Sequence, residues 1–177
     1  DPFLVPRELY DRYDPGSLEQ PVSADDEMHD KPAIYRRIRR TWEALGATER
    51  AQATACYYAA CSGIDDQVGR ILAALRESGQ EDDTLVVFTS DHGDYLGAHG
   101  LWLKGVAAFE EAYRVPLVLR GPGIPSGLRV DAPVSLLDLP RTLVRLLLGS
   151  DFGGHGCDLA PWLEGRQGAG EAYAEFH

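Results

Sequence analysis

The chain reads as an α/β protein with a largely parallel sheet flanked by helices. Three observations predict this class. Short apolar runs of strand character, Leu85-Val86-Val87-Phe88-Thr89 and Val115-Pro116-Leu117-Val118-Leu119, alternate with longer segments of helical period. The length of 177 residues is enough for one domain with a sizeable core. Hydrophobic residues make up 44% of the chain, with no apolar run long enough to span a bilayer, which is the composition of a soluble globular protein.

The elements follow in order. Residues 1–32 are rich in Pro, Asp and Glu without a steady period, and predict an extended surface segment. Ile34, Ile38, Trp42 and Leu45 lie at helical spacing and predict a helix over 33–46. Between them stand the pairs Arg36-Arg37 and Arg39-Arg40, which read as a solvated basic face, with anion binding as the alternative. This part, 1–47, precedes the α/β core portion, 48–177. Thr48 has the chemistry of an N-cap for a long helix to about Ser78. Its apolar positions Cys56, Ala60, Ile64, Val68, Ile71, Leu72 and Leu75 repeat at three and four and predict one buried face. Gly79 fits the left-handed residue just past its end.

A buried strand at 84–89 comes next, then a polar loop and a short helix near 106–113. A second buried strand is predicted at 115–119, and Gly121 to Pro125 is a loop by composition. Ser135 or Asp138 starts a helix ending near Leu148, with Pro140 in its first turn. A glycine-rich connection, a short helix at 159–163 and a strand at 171–176 complete the chain.

The formal charge of −11 argues against nucleic acid and anionic membrane as partners, since both require a basic surface. It also means that an anionic substrate needs a metal ion or a focused cationic spot to reverse the local sign. Three cysteines, Cys56 and Cys61 on one predicted helix and Cys157 far away, give no disulfide framework and read as reduced, mostly buried thiols. With no basic, apolar leader in view, this favours a reducing compartment, the cytoplasm. Nothing in the sequence bears on oligomeric state.

The chemistry concentrates where the first strand ends. In open α/β sheets ligands bind outside the carboxyl ends of the strands. There stand Asp91 and His92, followed by Gly93, and Lys104 returns thirteen residues after Asp91. Asp91 is a hard anionic oxygen ligand and a neutral His92 a borderline nitrogen donor, so both suit a divalent cation. Two ligands are too few for calcium or manganese. By composition alone, Asp-His-Gly also reads as an ordinary turn in which Asp91 caps backbone amides, and spacing by itself favours that turn over a metal site. Lys104 is one of only two lysines in an arginine-rich chain, the other being Lys31. Asp65 and Asp66 are adjacent on a helix, about 100° apart, and do not face one site.

The segment Phe88-Thr89-Ser90-Asp91-His92-Gly93 through Leu96-Gly97-Ala98-His99-Gly100-Leu101-Trp102-Leu103-Lys104-Gly105 resembles the sulfatase family of the alkaline-phosphatase-like superfamily. Ile64-Asp65-Asp66-Gln67-Val68-Gly69-Arg70 before it resembles the same family in order. So do Arg114-Val115-Pro116-Leu117, Arg120-Gly121-Pro122-Gly123 and Val134 to Leu143 after it. The resemblance implies a partial alkaline-phosphatase-like sandwich. It implies that Asp91 and His92 ligate a divalent metal, Ca2+ or Mn2+, and that Lys104 is a catalytic and substrate-binding residue touching the sulfate oxygens. The implied substrate is a small anionic ester; a phosphonate monoester or phosphodiester is the alternative within the superfamily. His99 takes no role from the resemblance, and Trp102 reads as packing.

Sulfatases attack with a formylglycine made from the Cys or Ser of a C-x-[PA]-x-R motif. Neither Cys61-Ser62-Gly63-Ile64-Asp65 nor Cys157-Asp158-Leu159-Ala160-Pro161 fits that motif. The chain is therefore expected to be the C-terminal part of a large catalytic domain, inactive alone, with its nucleophile-bearing half and C-terminal subdomain elsewhere. The competing reading is a non-catalytic module that lost its nucleophile half.

Overall fold

A computed structural model of the chain describes residues 4–151, 153–163 and 165. These residues divide into two compact units, one made of those up to Asp83 with His92–Pro116, the other of Thr84–Asp91 with those from Leu117 onward. The strand predicted at 171–176 lies outside the described residues.

The first unit is helical. α1 (Arg7–Tyr10) is one turn, α2 spans Ala33–Arg40 and α3 spans Ala47–Glu77. The cap of α3 is Gly46 rather than Thr48. Its far end follows the expectation closely. Gly79 takes φ 70°, its N–H donates to the carbonyl of Arg76, and Gln80 N–H donates to that of Leu75. Those two bonds satisfy carbonyls that the last helical turn leaves open. α1 and the turn after it lie against the middle of α3, where Tyr13 hydroxyl and Ser62 hydroxyl are 2.6 Å apart and Tyr13 stacks on Tyr58. The buried positions of α3 are the small residues Thr54, Ala55 and Ala59. Ile64 and Ile71, expected on a buried face, are 57% and 66% exposed. The elements packed on α3 among the described residues are short, so its apolar face outruns its cover.

The second part of this unit is a lobe built from 92–116. Its core is Met28, Tyr95, Leu101, Ala107 and Ala112, with Tyr35, Ile38 and Trp42 of the α2 region and Phe109 packed against it. The 1–32 segment is therefore more than an extended surface stretch. It contributes Met28 to the core, and its loop is fixed by Arg36, whose guanidinium donates to the carbonyls of Met28 and Lys31 at 3.0 and 2.7 Å. That bonding gives one arginine of the basic cluster a structural task. The short helix expected near 106–113 is confined to α4 (Glu110–Tyr113).

The second unit holds the sheet. β1 (Val86–Thr89) pairs with β2 (Leu117–Arg120) in antiparallel register, with Val86 opposite Arg120 and Thr89 opposite Leu117. A largely parallel sheet was expected; among the described residues the sheet is this one antiparallel pair. The physical reason lies in the connection. A parallel pair needs a crossover connection, usually a helix, whereas the helical pieces of 90–116 are a three-residue 3-10 turn at Ala98–Gly100 and the four-residue α4. The strands were also expected to be buried, yet Phe88 is 41% and Val118 56% exposed, because each strand has a single neighbour.

α5 (Asp138–Leu148) ends at Gly149 with φ 64°, and α6 (Ala160–Leu163) packs near it. Asp138 anchors this end of the unit. Its carboxylate is buried and accepts from Ser135 N–H at 2.8 Å and Cys157 N–H at 2.7 Å. Thr142 hydroxyl donates to the Asp138 carbonyl and accepts from Leu159 N–H, at 2.7 and 2.9 Å. All three cysteines are free thiols, with Cys61 exposed rather than buried. No helix among the described residues is long and apolar enough to cross a membrane.

Removing the Asp138 carboxylate strands two backbone N–H groups in a buried turn, each worth about 1–3 kcal/mol. Asp138→Ala is expected to lower the stability of the full-length protein by ~3 kcal/mol in denaturant unfolding, with Asp138→Asn losing less. A loss below ~0.5 kcal/mol for Asp138→Ala would contradict this role.

Candidate functional site

The lobe that follows β1 owes its shape to hydrogen bonds made within it. Gly93 N–H donates to the carbonyl of Ala112 at 2.8 Å, closing the base of the lobe. A Cβ at Gly93 would stand 1.9 Å from the carbonyl oxygen of Glu111, so only glycine allows this approach. Tyr95 N–H donates to Leu103 O, and Gly97 N–H to Leu101 O, both at 2.8 Å. Asp94 accepts from Leu96 N–H at 2.8 Å, while burial pushes its carboxyl above the usual aspartate range. Leu96, His99 and Leu103 all take positive φ, at 45°, 54° and 60°. For non-glycine residues that conformation costs about 1 kcal/mol each, so the surrounding bonds must hold the loop in place.

This loop brings two of the three candidate residues together. Lys104 Nζ lies 2.6 Å from His92 Nε2. On the other side of the ring, His92 Nδ1 lies 2.9 Å from the carbonyl oxygen of Gly93. A carbonyl only accepts, so Nδ1 carries the proton and Nε2 presents its lone pair, to which the ammonium donates. A metal-binding imidazole uses this tautomer: one nitrogen anchored to a carbonyl through its N–H, the other presenting its lone pair, which here meets the Lys104 ammonium. His92 is half-buried and Lys104 exposed. Asp91, the residue before His92, is exposed and lies two residues past the end of β1, with Ser90 hydroxyl 3.5 Å from its carboxylate. The donor set fits a divalent cation in kind but not in number. Among the described residues no three His, Cys, Asp or Glu side chains gather as a metal site requires.

His99, which takes no role from the resemblance, is a tether. Nδ1 is 2.7 Å from Asp26 Oδ2, Nε2 is 3.8 Å from Glu111 Oε1, and the ring stacks on Phe109 at 3.7 Å. His99 N–H also donates to Ser23 O at 2.9 Å. Trp102 packs, at 6% exposure. Sequence reasoning missed Asp26, Tyr95 and the closure at Gly93. Asp26 sits in a segment without period, and only the glycine after Asp91-His92 signalled a tight approach.

The Sulfatase family model matches residues 11–150. The chain belongs to the sulfatase family. It is 34% identical over 151 residues to a protein named Sulfatase from Formosa agariphila, covering 82% of this chain and 30% of that protein. It is 35% identical over 175 residues to the choline-sulfatase of Rhizobium meliloti, covering 93% of this chain and 32% of that enzyme. The solved structure of a phosphonate monoester hydrolase from Silicibacter pomeroyi matches with a TM-score of 0.81 at 29% identity, covering 94% of this chain and 35% of the other. This sulfatase segment thus spans about a third of the length of the relatives it matches. Family membership accords with the blocks read from the sequence, which lie between 64 and 143 within the matched span; the match also takes in the residues from 11 up to the first of these blocks.

The Asp26–His99 tether carries a pH signature. The Met28 amide, and after it His99, hold the Asp26 carboxyl below its ordinary value of 3.8. A lowered folded value means stability that is present above 3.8 and is lost as the pH falls through the folded value. Asp26→Asn is therefore expected to flatten the acid limb of the melting-temperature curve, from about pH 5 downward. Curves for the two proteins that stay parallel through that range would exclude the tether as a source of stability.

Proposed function

We propose that this segment supplies the C-terminal share of the catalytic centre of a metal-dependent sulfuric ester hydrolase. The observation that carries the reading is Lys104 against His92, with the His92 tautomer fixed by the Gly93 carbonyl. Membership of the sulfatase family supports it. Asp91 and His92 would hold a divalent cation, calcium or manganese, together with ligands from the rest of the parent polypeptide. When bound, that cation supplies Lewis-acid neutralisation of charge on the ester oxygens. It also answers the problem of an anionic substrate approaching a chain of net charge −11.

The chain's own residues then act as follows. Gly93 carbonyl keeps the proton on His92 Nδ1, so the imidazole stays a lone-pair donor at Nε2. Lys104, on an exposed and flexible stem, turns its ammonium from Nε2 to the ester oxygens. Ester hydrolysis accumulates negative charge on those oxygens and on the leaving group, and a pre-placed ammonium stabilises the charge as it develops. The nucleophile, a formylglycine in this family, would come from outside these residues. Small anionic esters are the substrate class. A second reading, hydrolysis of phosphonate monoesters, draws support from the likeness to the Silicibacter pomeroyi enzyme at a TM-score of 0.81.

Both readings are tested in the full-length parent. Asp91→Ala is expected to abolish stoichiometric divalent metal by elemental analysis, and activity with it, while the melting profile of the metal-free protein is retained. Unchanged metal content would remove Asp91 from the site. Lys104→Ala should keep its metal and lose on the order of a hundredfold or more in kcat, as when one preorganised charge-stabilising donor is deleted. A wild-type rate would remove Lys104 from the mechanism. Parallel rates on an aryl sulfate and an aryl phosphonate monoester decide between the two ester classes.

A further inference from the structure

We propose that Tyr95 is the positioning residue for Lys104. This rests on the reading of Lys104 as the group that meets the ester oxygens. A lysine on a loop can serve a charge that appears only transiently if the backbone on both sides of it is fixed, because the side chain alone has four free torsions. The structure fixes both sides through one residue. Tyr95 N–H donates to the carbonyl of Leu103 at 2.8 Å, immediately before Lys104. Its hydroxyl lies 3.0 Å from the carbonyl of Gly105, immediately after, and 2.6 Å from that of Ala107.

The tyrosine is suited to the task. It is 2% exposed, in the centre of the core of the lobe, so its ring cannot swing. Burial pushes its hydroxyl up to about 12, so it stays a neutral donor across the working range of an enzyme. The hydroxyl has a single proton and faces two carbonyls, which ties the peptides after Gly105 and Ala107 to one point. Gly105 packs beside the ring, where an added Cβ would stand in ordinary van der Waals contact with it at 3.9 Å. Leu103 takes φ 60°, a conformation a leucine leaves unless its neighbours hold it, and the Tyr95 amide is the group that bonds its carbonyl. The left-handed turn at Leu103 sets the direction in which the Lys104 side chain leaves the loop. Thus a buried ring, which makes no contact with substrate, determines where an exposed ammonium can go.

The test is a double-mutant cycle in the full-length parent, with kcat, KM and melting temperature measured for wild type, Tyr95→Phe, Lys104→Ala and the double variant on the better of the two ester substrates. Tyr95→Phe keeps the packed ring and removes only the hydroxyl. Its kcat is expected to fall on the order of ten- to a hundredfold, with KM within about twofold, as for a group displaced by a fraction of an ångström from the reacting atoms. In the Lys104→Ala background the same change should cost less than about twofold in kcat, because the group being positioned is gone. The fall in melting temperature should be the same in both backgrounds. Equal kcat losses in the two backgrounds would show a merely structural tyrosine and overturn the inference, as would a Tyr95→Phe enzyme with wild-type kcat. If Lys104→Ala itself turns over like wild type, the role of Lys104 falls and the inference with it; an impaired Lys104→Ala with additive losses sinks the inference alone. Should Tyr95→Phe fail to fold, Leu103→Gly carries the test. It relaxes the strained φ without touching the core, and is expected to lower kcat severalfold with no loss of melting temperature; wild-type kcat there would overturn the inference.

Discussion

A loop that carries polar chemistry must satisfy its own backbone before it can present a side chain. From Gly93 to Tyr113 the chain forms no strand and only one turn of α-helix, so the usual ladders are missing. The bonds that replace them converge on a few residues. Gly93 closes the base against Ala112, and Tyr95 ties Leu103, Gly105 and Ala107 to the core. His99 binds the far end to Asp26. Each unpaired carbonyl in a half-buried loop would cost on the order of 1–3 kcal/mol, and each strained leucine about 1 kcal/mol more. The loop therefore keeps its shape through Tyr95 and Gly93, and the proximity of His92 and Lys104 follows from that shape.

The same economy explains why two electrically awkward groups sit side by side. An ammonium 2.6 Å from an imidazole nitrogen is tolerable only when the imidazole is neutral and turns a lone pair toward it. The carbonyl of Gly93 enforces that tautomer from the other side of the ring. One glycine thus serves three ends. It permits the close approach to Glu111, its N–H closes the lobe, and its carbonyl orients His92.

Much of this was legible in the sequence, and what was not has physical reasons. The periodicity of α3 and the glycine after it located the helix to within a residue or two, because 3.6-residue repeats and left-handed C-caps are local properties. Asp91, His92 and Lys104 stood out because hard ligands and a rare lysine follow a strand. The pairing of β1 with β2 did not, since strand direction depends on what the intervening residues do, and 90–116 folds on itself instead of crossing over as a helix. Asp26 and His99 are 73 residues apart, one of them in a stretch with no period at all. Tyr95 reads in sequence as one more aromatic; only the fold shows that its hydroxyl ends between two carbonyls. Ile64 and Ile71 were given a buried face that the described residues do not provide, which is the mark of a helix read by pattern without knowledge of its cover.

His92 and Lys104 are proposed to belong to one anion-and-metal site whose geometry the lobe fixes in advance. A crystal structure of the full-length parent, with its divalent cation and an unreactive tetrahedral oxyanion bound, tests it most directly. Asp91 carboxylate and His92 Nε2 are expected on the cation, with Lys104 Nζ moved from His92 to an oxyanion oxygen and the Tyr95 bonds to Leu103 and Gly105 unchanged. A cation held by neither Asp91 nor His92, or an oxyanion bound while Lys104 remains on His92, would contradict it.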